Sequence, residues 1–234
     1  MKYSGPIKAI LERELKRLEG RNMDAPTRVV GEIGRLHSAV QSLEAIALNR
    51  NPADNDALHM KKTHEAGQRL AKSAKAIRSQ ANEILSIQGA RLGEKLLQRT
   101  GLRPPENLEA IMRQSELRAV VRSMDSKSRH EILQEAVKAQ DADTLSALFN
   151  APAIVTGFDR KLLGEMRRAY ESQVAPEIVQ ELDAMIEADH ALQVVVRNAE
   201  TAATQSQDAQ AMVAFVKAEE AAKAAQENFS ESMQ

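Results

Sequence analysis

The sequence predicts an all-α protein in which long amphipathic helices with heptad-like seams flank a small compact helical middle section. Three observations carry this. Ala, Glu, Lys, Leu, Arg and Gln dominate, all strong helix formers, while 234 residues hold only 10 Gly and 7 Pro to interrupt them. Apolar positions recur by threes and fours over long stretches. Hydrophobic residues make up 43% of the chain but aromatics only 3%, with no Trp, so the bulkiest core fillers are scarce and thin seams between rods suit the composition better than a thick core.

Ser4, Gly5 and Pro6 read as the start of a first helix, because the N–H that proline lacks would have no partner in a first turn. Its apolar positions are Ile7, Ile10, Leu11, Leu15 and Leu18, and Gly20 is the stop. A second helix starts at Asp24, with Pro26 in its first turn. Val29, Ile33, Leu36, Val40, Leu43 and Ala47 step by four and three, the signature of one helix lying along another, until Asn49–Pro52 ends the run. A third helix begins at Asp54 or Asn55 and meets no strong stop before Thr100-Gly101. Its length would be roughly 65 Å at about 1.5 Å per residue. Leu70, Ala74, Ile77, Ala81 and Ile84 carry its stripe; Gly67, Gly89 and Gly93 weaken it and suit close helix approach, with a break expected, if anywhere, at 89–93.

Leu102-Arg103-Pro104-Pro105 is the clearest punctuation. Shorter helices are expected behind it, near 106–114, 115–123, 126–139 and 143–150, then one capped by Asp159 through Leu162, Leu163, Met166 and Tyr170. Phe149, Phe158 and Tyr170 give this stretch its core candidates. Pro176 opens the last helix, with Glu177 and Glu181 near its positive end. Its stripe runs Ile178, Leu182, Met185, Asp189, Leu192, Val196, Ala199 and Ala203. Beyond Ala199 the helix turns Ala-, Gln- and Glu-rich, Val213, Phe215, Val216 and Phe229 are its last large apolar residues, and 230–234 is expected to fray. Three regions follow: a long-helix region 1–101, a compact subdomain 102–175, and a long C-terminal helix 176–234.

Charge is segregated although the net is −1. From 57 to 82 the cations Lys61, Lys62, Arg69, Lys72, Lys75 and Arg78 face Glu65 alone. From 176 to 200 the acids Glu177, Glu181, Asp183, Glu187, Asp189 and Glu200 face Arg197 alone. A charge-complementary helix pair, within or between chains, is the favoured reading. The six cations are also the candidate nucleic-acid contact, although they spread over a wide arc without interleaved aromatics for base stacking.

No catalytic constellation is present, and neither a metal nor a cofactor site is expected. With no Cys, disulfides and thiolate metal sites are excluded. Asp54, Asp56, His59, His64 and Glu65 cluster near a helix start, but His59 and His64 are five apart, on different faces, unlike the four-apart pair of zinc proteases. His37, His130 and His190 are isolated; Gly31 and Gly34 sit inside a heptad helix, no place for a phosphate cradle. Neither Ser115 nor Ser126 opens a helix with the base-reading residues of a helix-turn-helix. The apolar runs are too short for a bilayer, so no membrane insertion is expected, and residues 1–11 lack a leader's apolar region, so synthesis in the cytoplasm is expected.

Leu117-Arg118-Ala119-Val120-Val121-Arg122, Glu131-Ile132-Leu133-Gln134-Glu135-Ala136, Asp141-Ala142-Asp143-Thr144-Leu145, then Asn150-Ala151-Pro152 and Gly157 form a pattern over about a quarter of the chain. It resembles uncharacterised helical virion or assembly proteins of tailed bacteriophages and prophages. The resemblance brings no catalytic residue. It implies a virion-associated or scaffold-like role, as a homo-oligomer or with other structural proteins. The expected oligomer seam is Val29, Ile33, Leu36, Val40 and Leu43 on the second helix and Leu182, Met185, Leu192 and Val196 on the last. The alternative is a nucleic-acid-associated protein binding through the basic helix 57–82.

Overall fold

The computed structural model describes residues 2–207 and 209–232. Among them lie ten helices and no strand: α1 Ser4–Leu18, α2 Asp24–Leu48, α3 Asp56–Thr100, α4 Leu108–Ser123, α5 Ser126–Ala139, α6 Ala142–Phe149, α7 Ala153–Thr156, α8 Arg160–Val174, α9 Pro176–Gln205 and α10 Ala209–Ser232. The chain divides into two compact units. Unit 1 takes residues 1–85 and 186–234, and unit 2 takes 86–185.

Unit 1 is an up-down-up-down four-helix bundle made of α1, α2, α3 up to residue 85 and α9 from residue 186. The Tyr3 N–H and the Ser4 hydroxyl at the start of α1 donate to Glu44 near the end of α2, so these two helices are antiparallel. Arg17 pairs with Glu187 at 3.1 Å while Tyr3, fourteen residues earlier, donates to Gln205, so α1 is antiparallel to α9 as well. Arg78 meets Asp189 while Gly67 lies under Ala203, which runs α3 against α9. The heptad stripes close on one another. Val29, Ile33, Leu36, Val40 and Leu43 share one core with Leu70, Ala74, Ile77 and Ala81 of α3 and with Ala188, Leu192, Val195, Val196 and Ala199 of α9. Small Ala side chains on α3 and α9 let the rods approach. At Gly67 the approach is closest: a Cβ there would collide with Ser206 Oγ and lie 3.0 Å from the Ala203 carbonyl oxygen.

Unit 2 has its own core, Leu102, Val121, Leu133, Leu145, Leu148, Phe158, Leu163 and Tyr170. Its short helices begin on side-chain caps. Asn107 accepts from Ala110 N–H, Asp125 from Lys127 and Ser128, Asp141 from Thr144, and Asp159 from Lys161 and Leu162. α4 packs on α6 and α7, and α8 on α5 and α6. The Tyr170 hydroxyl, buried, donates to the Thr100 carbonyl at 2.7 Å and fixes α8 to the end of α3. Burial, and secondarily the Asp141 charge, raises the Tyr170 pKa, so it stays a donor.

Several expectations are corrected. The two helices expected near 106–114 and 115–123 are one, α4 Leu108–Ser123, and exposed Ser115 lies in an uninterrupted run. The helix expected near 143–150 is α6, which starts at Ala142 on an Asp141 cap. The last helix breaks: Ser206 Oγ turns back onto the Ala203 carbonyl at 2.7 Å, competing with the backbone, and α10 starts anew at Ala209. Of the tail expected to fray, 230–232 continue α10, and 233 and 234 lie outside the described residues. No break occurs at 89–93, where Gly89 meets Met185. The units also divide inside α3 and α9 rather than at 101/102 and 175/176. Proline and glycine mark where helices end, whereas a change of packing partner along a continuous helix leaves no such mark.

Candidate helix-docking surfaces

The expected oligomer seam is already occupied. Val29, Ile33, Leu36, Val40, Leu43, Leu192 and Val196 are buried within unit 1, and Met185 is buried within unit 2, with Leu182 half-buried there. The stripes are real, but four of them within one chain satisfy each other, and no second chain is needed to cover them.

The six basic residues of α3 are also partly engaged. Lys62 pairs with buried Asp54 at 2.7 Å, Arg78 with Asp189, Arg69 with Glu65 at 3.8 Å, and Lys61 with Glu219 at 3.5 Å while stacking over the Phe215 ring. Lys72 and Lys75 are exposed and form no ion pair among the described residues. The acids of the last helix find partners mostly elsewhere: Glu187 on Arg17, Glu177 on Arg99 and Asp183 on Arg168. The two charged stretches meet at Arg78–Asp189. Of the cluster near the α3 start, Asp54 and Asp56 are tied to Lys62 and Arg50. Among the described residues no three His, Asp or Glu side chains come close enough to hold a metal ion, and no helix is long and apolar enough to cross a membrane.

Two polar groups that periodicity passes over sit inside unit 1. The inner stripe of α1 is Ser4, Ile7, Leu11, Glu14 and Leu18, stepping by three and four. Leu15, counted with the apolar set in the sequence, is 55% exposed, while Glu14 is buried against Arg13 at 3.0 Å and Arg17 at 3.4 Å. At the other end, burial alone would raise the Glu44 carboxyl, but hydrogen bonds from the Ser4 hydroxyl and from the Tyr3 and Ser4 N–H groups outweigh it and lower the pKa. Ser4 and Glu14 therefore pin the register of α1 at both ends. A signal existed: both fall on the stripe once the three-four spacing is taken from Ile7 rather than from apolar identity.

Three surfaces are left for docking. A groove of about 500 Å³ runs between α2 and α3, floored by Leu43, Ile46, Ala66 and Leu70 and rimmed by Lys62 and Arg69. α10 is exposed along nearly its whole described length; Val213 and Val216 face water, and α3 touches it through Lys61, Phe215 and Glu219. In unit 2, α4 packs inward through Leu117 and Val121 and leaves Leu108 71%, Ile111 46% and Met112 56% exposed. Neighbouring α7 adds Ile154, 87% exposed.

Compared with protein-family models, curated proteins and solved structures, the chain finds no match in any of the three.

Proposed function

We propose that this protein is a non-enzymatic structural or assembly component that works by helix–helix association. The observation that carries the reading is α10. An isolated helix in water gains little from its own hydrogen bonds and draws its stability from a packed apolar face. Here 24 residues form a helix whose described side chains are almost all exposed, Val213 and Val216 included. A helix built this way is suited to lie against a helix of another molecule. The resemblance of the middle section to phage virion and assembly proteins extends the proposal to a virion-associated or scaffold-like part. The seam that the sequence offered for this role is closed inside the chain, so association would use outer faces instead.

The test is the native mass of the purified protein by light scattering over a wide concentration range, alone and with Val213→Glu/Val216→Glu. Assemblies larger than one chain, reduced by the double substitution, are the expected result. A single-chain mass at every concentration, unchanged by the substitutions, would overturn self-association through α10. The nucleic-acid alternative is left with Lys72 and Lys75 as cations outside ion pairs. Two phosphate contacts give only a shallow salt dependence, so weak retention on DNA at low salt and none at moderate salt is expected.

A further inference from the structure

The apolar residues of α10 are divided between two environments. Met212, Val213, Phe215 and Val216 lie within little more than one turn. Around the helix they fall in the order Phe215, Met212, Val216, Val213, over an arc of about 160°. Phe215 and Met212 are half-buried, whereas Val216 and Val213 are exposed. Glu219 falls between Phe215 and Met212 on that arc, so it shares their half.

One side chain of α3 grips this inner half. The Lys61 ammonium lies 5.3 Å from the centre of the Phe215 ring and 3.5 Å from Glu219 Oε2, so a single cation holds two residues one turn apart. On α3, Lys61 stands nearly opposite the stripe of Leu70, Ala74, Ile77 and Ala81. The grip is therefore on the outside of the bundle, and no described α10 side chain joins the unit 1 core. Releasing α10 would open no cavity there. The grip is also electrostatic in both its parts. Lys61 is 33% and Glu219 58% exposed, so water and salt screen the pair. A cation over a ring at such a site is a weak contact as well. The end of α9 is held differently: Gly67 packs closely under Ala203, and Gln205 accepts from the Tyr3 hydroxyl. A firmly seated helix thus carries a lightly held one.

We infer that Lys61 is an autoinhibitory latch. It keeps the Phe215 and Met212 half of α10 against α3, and its release presents the whole apolar arc to a second copy of the chain. The inference rests on the reading of α10 as the associating helix and adds what controls it. It also reverses the usual effect of salt. Ionic strength loosens the latch, while contact between apolar arcs loses nothing to screening, so association strengthens as salt rises.

Two measurements on the full-length chain test it. Hydrogen exchange over 212–219 reports the latch, because a released helix frays. Sedimentation velocity across a hundredfold concentration range reports association. Lys61→Gln keeps most of the stem and removes the charge; exchange should be several-fold faster and association several-fold tighter than in the wild type. Lys61→Arg keeps a cation for both partners and should match the wild type. Raising sodium chloride from about 0.05 to about 0.5 M should move the wild type in the direction of Lys61→Gln and leave that variant little changed. Unchanged exchange in Lys61→Gln would overturn the latch and leave the reading of α10 standing. Faster exchange with association unchanged or weaker would overturn the autoinhibition. Faster exchange in a chain that stays monomeric under every condition would overturn the assembly reading, and the inference with it.

Discussion

The inner stripe of α2 and the outer stripe of α4 look alike as patterns and differ in what covers them. Val29, Ile33, Leu36, Val40 and Leu43 are buried against α3 and α9 within one chain. Leu108, Ile111 and Met112 remain in water. Periodicity shows that a helix has an apolar side. It does not show whether the matching side belongs to the same chain. For α2 the match lies far along the sequence, in the second half of α9. For α4 the described residues supply none.

The contrast can be broken first by truncation. Leu36→Ala should destabilise unit 1 by about 2–5 kcal/mol, the range for a buried large-to-small change. Ile111→Ala should stay within about 0.5 kcal/mol in dilute protein. Thermal or urea unfolding checks both; equal losses would mean that the two stripes are covered alike. Next in size comes Gly157, which ends α7 at φ 74° and accepts from Arg129 at 2.5 Å through its carbonyl. A Cβ there would strike the Arg129 guanidinium, and the left-handed conformation itself costs a non-glycine residue about 1–2 kcal/mol. Gly157→Ala should therefore lower the melting temperature of unit 2 and leave unit 1 unaffected. Tyr170→Phe removes the hydrogen bond to Thr100 and should cost about 1 kcal/mol, seen as faster amide exchange at the end of α3.

The smallest expected effect depends on pH. The folded pKa of Glu44 lies below its ordinary value, so its bonds to α1 add stability above about pH 4.3. That stability is lost as pH falls through the folded pKa. Ser4→Ala removes the hydroxyl donor and raises that pKa toward normal. The variant should melt below the wild type at about pH 7, and the gap should narrow as pH falls below about 4.3. A gap of the same size at both values would mean that Ser4 acts through packing and not through the carboxylate.

Much of the fold is legible in the sequence because its signals are local. Pro6, Asp24 and Asp159 place the starts of α1, α2 and α8, and the three-four spacing gives α2, α3 and α9 their inner faces. What stays hidden is non-local or depends on continuity. Glu14 sits on the α1 stripe, but a charged residue there reads as a surface position until Arg13 and Arg17 are seen around it. The outer stripe of α4 emerges only when 108–123 is taken as one helix, since a division at Ser115 splits it into fragments too short to show a face. The division of α3 and α9 between two units has no signature, because the helix continues through it. The seam expected on α2 and α9 is buried within the chain, because which stripe covers which is also a non-local fact.

The central claim is that the α2 stripe is closed within one chain. Thermal unfolding of the full-length chain, followed over a hundredfold range of protein concentration, tests it most directly. With the α2 core intramolecular, the melting temperature of unit 1 should not move with concentration. A melting temperature that climbs with concentration would mean that the bundle needs a second chain to complete it.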